Sequence, residues 1–234
     1  MGFKPSDFKM LEEAPYEYPA PAAYFELVMN GIKQEEKTLG PAFTSRYIKY
    51  ALQFLAQKYG EEPSDIKTLD QLKNYLIAAY DNCPACYPPV IIYAQVRTET
   101  ELEGRAGVAG TRFEMMGIAK DISGRSASKD KEVDLDALVL KLRQVTLGMK
   151  VAPQKWGYTL DEDGKIVILH PTCYLLEGCR AAFNDGFLKR PNGGLRCGIT
   201  ATAIQYFTLV TGNQWDYELL EFDKPYCISK AFMV

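Results

Sequence analysis

The chain carries six cysteines and a single histidine, and most of them gather towards one end. His170, Cys173, Cys179, Cys197 and Cys227 all fall between residues 170 and 227. Thiolates and imidazoles are side chains that zinc prefers, taken about four at a time in a tetrahedron. The spacing is not that of a zinc finger, since Cys173 and Cys179 lie six positions apart and Cys197 and Cys227 thirty. A zinc site here would be assembled from a loop, a helix start and a terminal strand, with Glu177 as a reserve ligand. Cys197 stands at the mouth of a helical run, where the positive end of the helix favours a thiolate. The same cysteines also suit plain burial as small apolar side chains.

Two further arrangements could do chemistry. Cys83-Pro-Ala-Cys86 can supply half a zinc site, run thiol–disulfide exchange, or form a buried turn. The exchange chemistry wants a helix to begin at the pair, whereas the pattern here reads helix, pair, Pro88-Pro89 and then a strand. His170 as a general base would need a nucleophile, such as Cys173, and an orienting carboxylate, such as Glu177 or Asp185. The loop holding Gly104, Gly107 and Gly110 lacks the spacing of a phosphate cradle and reads as a mobile loop over a sheet edge.

These residues need elements to position them. Residues 1–22, rich in Pro, Tyr and Glu, read as an extended arm, because the prolines forbid a regular helix. Helical character begins near Tyr24 and breaks at Gly40-Pro41. Tyr47, Ala51, Phe54 and Leu55 then recur at helical spacing up to Gly60. Thr68 opens another helix, with Gln71 as its capping-box partner. Val90 to Val96 reads as a strand, Arg112 to Ala119 as a second, and residues 120–132 as a solvated loop. Asp134 caps a helix bearing Leu135, Leu138, Val139 and Leu142 on one face. The runs 156–160 and 165–169 pair around Asp161-Glu-Asp-Gly164, whose Asp-Gly step suits a tight turn. A last helix, Gly198 to Thr211, closes at Gly212, and residues 215–222 alternate as a strand. The expected fold is α+β: a helical N-terminal half, then an antiparallel sheet with helices packed on one side, with residues 23–234 forming one domain.

The totals narrow the function. A net charge of -3 without a Lys/Arg cluster argues against nucleic acid as a partner. No apolar run is long enough to span a bilayer, and residues 1–9 lack the apolar stretch of a secretion signal. A cytoplasmic location is the resulting expectation, and with it reduced thiols rather than disulfides.

The order of elements resembles the 4-vinyl reductase, or hydrocarbon-binding, domain family, whose fold is shared with vesicle-tethering complex subunits. The resemblance covers roughly residues 35–234. It rests on Leu39-Gly-Pro-Ala-Phe-Thr-Ser-Arg-Tyr-Ile, the helix end Gln57-Lys-Tyr-Gly60, Gly157-Tyr158 leading into a hairpin, and Cys197 starting a helix that ends Val210-Thr-Gly212. Family members close with an acidic residue, two cysteines and a glycine. Here Glu218-Leu-Leu-Glu221 is followed by Cys227 alone, so Cys173 or Cys179 would substitute. The Cys173 to Cys197 region is also similar to thiazoline-carboxylate hydrolase-like proteins. The family resemblance implies a pocket for a small aromatic or apolar molecule, lined by Phe113, Met115 or Met116, Trp156, Tyr158, Tyr206 and Phe207. It further implies a homodimer formed through the N-terminal helices and arm. The expected function is small-molecule binding, with a cysteine-rich zinc site bracing the pocket. The alternative is an enzyme or accessory acting on an aromatic or tetrapyrrole-like substrate through Cys173, Cys197 or a metal.

Overall fold

The computed structural model describes residues 2–106, 119–120, 134–187, 196–222 and 226–234. The chain divides into two compact units. The first comprises residues 1–19, 118–173 and 194–234, the second residues 20–117 and 174–193.

The first unit is built on a five-stranded antiparallel sheet in the order β1-β2-β3-β5-β4. Its strands are β1 (Lys9–Met10), β2 (Gly157–Leu160), β3 (Ile166–His170), β4 (Trp215–Glu221) and β5 (Cys227–Met233). The hairpin between β2 and β3 turns at Asp161–Gly164 as the Asp-Gly step predicts, with Gly164 at φ 73°. Asp161 fixes the turn by accepting from the Lys165 and Asp163 amides.

Because side chains alternate along a strand, the sheet has two distinct faces. One carries Val167, Leu169 and Ile228 under Phe8, with Phe3 and Tyr226 packed against them. The other carries Ile166, Ile168 and His170 opposite Ala231, Ser229 and Cys227. Helices α5 (Leu135–Gly148) and α7 (Gly198–Thr211) cover this second face, so the helices do lie on one side. Asp134 caps α5 through the Asp136 and Ala137 amides, and Gly212, at φ 75°, ends α7.

The arm is part of this sheet rather than a free tail. It adds β1 at the edge, and the Leu11 and Ala14 amides then donate to the Trp156 and Gln154 carbonyls at 2.9 Å. Arg143, 2% exposed, locks it. Its guanidinium donates to the carbonyls of Glu12, Pro153 and Gln154. A buried cation is tolerable when such dipoles replace its water.

The second unit is helical: α1 (Pro21–Leu39), α2 (Pro41–Tyr59), α3 (Leu69–Tyr80), α4 (Tyr87–Ala106) and α6 (Leu176–Asn184). Pro21 opens α1, three residues before the expected start, because a proline at the first helical position loses no intrahelical bond. Gly40, at φ 81°, separates α1 from α2. The Thr68–Gln71 capping box forms as expected.

Two expectations fail here. Val90 to Val96 is not a strand but the centre of α4, buried on every side: Val90, Ile91, Ile92, Tyr93, Ala94, Gln95 and Val96 are all inside. Burial all round erases helical periodicity, and the β-branched run then mimics a strand. The loop expected between His170 and Cys179 contains α6. At Gly178 an added Cβ would overlap the Pro89 carbonyl and Ile92 side chain, so glycine lets α6 pack directly on α4. Gly104 lies within α4. Residues 112–118, 121–132, Gly107 and Gly110 fall outside the described residues.

Candidate functional site

Helix α7 returns through Gly212 directly into β4, so it runs antiparallel to that strand. Its C-terminal end meets Trp215, whose ring packs edge-on to Phe207 at 5.2 Å and whose Nε1 donates to Thr211. Its N-terminal end therefore lies at the opposite end of the sheet, where β3 and β5 bring His170 and Cys227 face to face. This topology places Cys197, Thr200, Ser229, Cys227, His170 and Trp156 at one end of the helix-covered face.

Cys197 is the residue capping α7. Its amide donates to the Tyr217 hydroxyl at 3.0 Å, and its sulfur accepts from the Thr200 hydroxyl at 3.2 Å. Thr200 shares a 2.6 Å hydrogen bond with Ser229 across the helix–sheet interface. Burial pushes the Cys197 thiol up, and the Thr200 hydroxyl and the first amides of α7 only partly oppose that shift. The thiol is therefore held protonated at neutral pH, which disfavours it as a nucleophile.

His170 is 1% exposed, and neither ring nitrogen has a hydrogen-bond partner among the described residues. Burial depresses its pKa to about 3, so the ring is neutral at neutral pH. It stacks on the Trp156 indole with centroids 6.1 Å apart and planes 6° from parallel. Trp156 is 3% exposed, and its Nε1 is also without a hydrogen-bond partner among the described residues. Buried polar groups are overwhelmingly satisfied, and each orphan costs about 1–3 kcal/mol. Three nitrogens on two stacked rings of the first unit thus stand without a hydrogen-bond partner among the described residues.

The carboxylates expected to orient His170 are engaged in the second unit. Glu177 pairs with Lys58. Asp185 accepts from the Tyr93 hydroxyl at 2.6 Å and from Arg97 at 3.3 Å. With no bond from His170 to a thiol or carboxylate, a catalytic dyad is not formed among the described residues.

The expected metal ligands are only partly brought together. His170 and Cys227 face each other, Cys197 lies at the same end of the sheet, and Cys173 comes three residues after β3. Cys179 sits buried in α6 of the second unit. Among the described residues no three His, Cys, Asp or Glu side chains form a group able to hold a metal ion.

Of the expected pocket lining, Phe113, Met115 and Met116 lie outside the described residues. Trp156, Tyr158, Tyr206 and Phe207 are all buried in the first unit. Tyr158 is tied to Asp136 on α5 and accepts from Lys9 at 3.3 Å. Phe207 packs on Trp215 and Tyr206. These two serve the core, while Trp156 alone among the four presents an open polar atom.

The Cys83–Cys86 pair is closed as a disulfide, with Cα atoms 5.5 Å apart, contrary to the expectation of reduced thiols throughout. No helix among the described residues is long and apolar enough to cross a membrane. No family model, curated protein or solved structure matches the chain.

Proposed function

We propose that this chain is a binding protein for a small, flat, largely apolar molecule that carries a polar edge. The ligand's polar edge is held by Trp156 and His170. The single observation behind this reading is the stacked pair of buried rings with three unpartnered nitrogens. A neutral imidazole offers one N–H donor and one acceptor, and the indole offers a second donor. The complementary group has acceptor lone pairs beside one donor, as in an amide, lactam or protonated carboxyl. The surrounding surface is apolar, with Ile166 and Ile168 on the same strand face. A few polar atoms set beside an aromatic and aliphatic wall are the chemistry that small-molecule sites use. The resemblance to hydrocarbon-binding domains agrees with it, and a homodimer belongs to the same reading.

The test is a native mass spectrum of untagged protein set against the denatured mass. An organic excess mass that disappears in His170→Phe supports the site, and the same trace reads any zinc and the oligomer. Quenching of Trp156 emission by 1-naphthoate or 1-naphthamide, followed in a Trp215→Phe background, gives a second readout. If no mass is retained and no probe quenches Trp156, the reading fails and the nitrogens are served by ordered water.

A further inference from the structure

The Cys83–Cys86 disulfide has no part in the binding site and belongs to the second unit. Its surroundings differ from what the sequence pattern implies. A strand after the pair would be the wrong neighbour for thiol–disulfide exchange, but the element after it is a helix. Tyr87 opens the 20-residue α4 immediately after Cys86. A thiolate left on Cys86 lies at the positive end of a long helix, which makes it less basic and a better leaving group. Pro88 and Pro89 lack an N–H, so this help comes from the helix dipole rather than from a full set of amide donors.

The bond is also poorly placed to act as a clamp. It joins cysteines only three positions apart, and short loops yield the least stabilisation on closure. The turn is already fixed without it. The Cys83 amide donates to the Tyr80 carbonyl and the Cys86 amide to the Cys83 carbonyl, both at 2.9 Å. The Tyr59 hydroxyl holds the Cys86 carbonyl at 3.0 Å. Both cysteines keep partial exposure, so an external thiol has access.

We propose that Cys83–Cys86 is a thiol–disulfide exchange centre that trades two electrons with a low-molecular-weight thiol. An external thiolate attacks the Cys83 sulfur, the bond between the two cysteines breaks, and its electron pair leaves on Cys86, which takes a proton. A second external thiolate then attacks the external sulfur of the mixed disulfide and expels Cys83, which is protonated in turn. Two external thiols are oxidised to one disulfide, and the protein pair is reduced to two thiols. The reverse sequence reoxidises it.

The probe is glutathione. The native full-length chain is equilibrated across ratios of reduced to oxidised glutathione, acid-quenched, alkylated under denaturation and weighed. The expected result is a gain of two alkylatable thiols in one two-electron step, mapped to Cys83 and Cys86, with circular dichroism unchanged. Cys86→Ser is expected to hold one glutathione on Cys83 when exposed to the oxidised form, and Cys83→Ala/Cys86→Ala to lose the step. A pair that stays oxidised in excess reduced glutathione until the chain is denatured overturns the proposal. So does reduction no faster in the native chain than in denaturant. If a variant fails to fold, the wild-type titration alone decides.

Discussion

The two units hold their polar side chains by different means. In the second, tyrosine hydroxyls are matched to carboxylates: Tyr75 and Tyr80 both donate to Glu61, at 2.5 and 3.0 Å. Arg97 lies over the rings of Phe187 and Tyr50 at 3.9 and 4.5 Å, while one of its terminal nitrogens donates to Tyr93 and Asp185. The Arg97 Nε and Thr44 Oγ1 atoms are exceptions. In the first unit, Arg143 is more deeply buried than Arg97 and well satisfied, yet 13 and 27 positions further along the chain Trp156 and His170 hold three buried nitrogens without a hydrogen-bond partner among the described residues.

Substitutions can break or sharpen that contrast. The largest effect is expected at Arg143, where Arg143→Met strands three carbonyls and frees the arm. Loss of such a buried charged hydrogen-bond set costs about 3–5 kcal/mol, read as a lowered urea midpoint, with limited proteolysis now cutting within residues 2–19.

The next effect is pH-dependent and belongs to His170. Its folded pKa, near 3 through burial, lies below the ordinary value of 6.5. The unfolded chain therefore takes up a proton that the folded chain refuses. Stability is fully present above about pH 6.5 and falls by about 1.4 kcal/mol per pH unit as pH drops towards 3. His170→Phe is expected to remove this contribution to the slope. At pH 7 the same substitution is expected to be neutral or to stabilise the ligand-free chain by about 1 kcal/mol, because it deletes orphaned polar atoms. A clear loss of stability at pH 7 would mean that His170 is satisfied after all.

Tyr80→Phe probes the second unit and should behave in the opposite way. It removes a donor from Glu61 and is expected to destabilise by about 1 kcal/mol, measured by thermal melting. Burial, with Glu61 adding to it, holds the Tyr80 hydroxyl protonated far above its ordinary range, so this contribution is flat across neutral pH. Smallest of all is Lys58→Ala. Its pair with Glu177 is nearly half-exposed on both sides, and its loss should cost under about 0.5 kcal/mol and vanish in high salt.

Much of this fold is legible in the sequence because local chemistry dictates it. Thr68 with Gln71, Asp134, the Asp161–Gly164 turn and Gly212 each satisfy backbone groups within a few residues. These signals need no tertiary partner. The alternation through Trp215 and Tyr217 likewise reports one covered face.

Other features were decided only when the chain folded. Val90 to Val96 is helical because α4 is enclosed on all sides, and an enclosed helix has no polar face to mark its period. Cys179 sits on α6 in the second unit and Cys197 caps α7 in the first, an assignment that residue spacing alone does not give. The stacking of His170 on Trp156, and the lack of a hydrogen-bond partner for their ring nitrogens among the described residues, depends on where β3, the arm and residues 153–156 meet. Hydrogen-bond satisfaction is a property of three-dimensional surroundings, and residue types and spacing do not encode it.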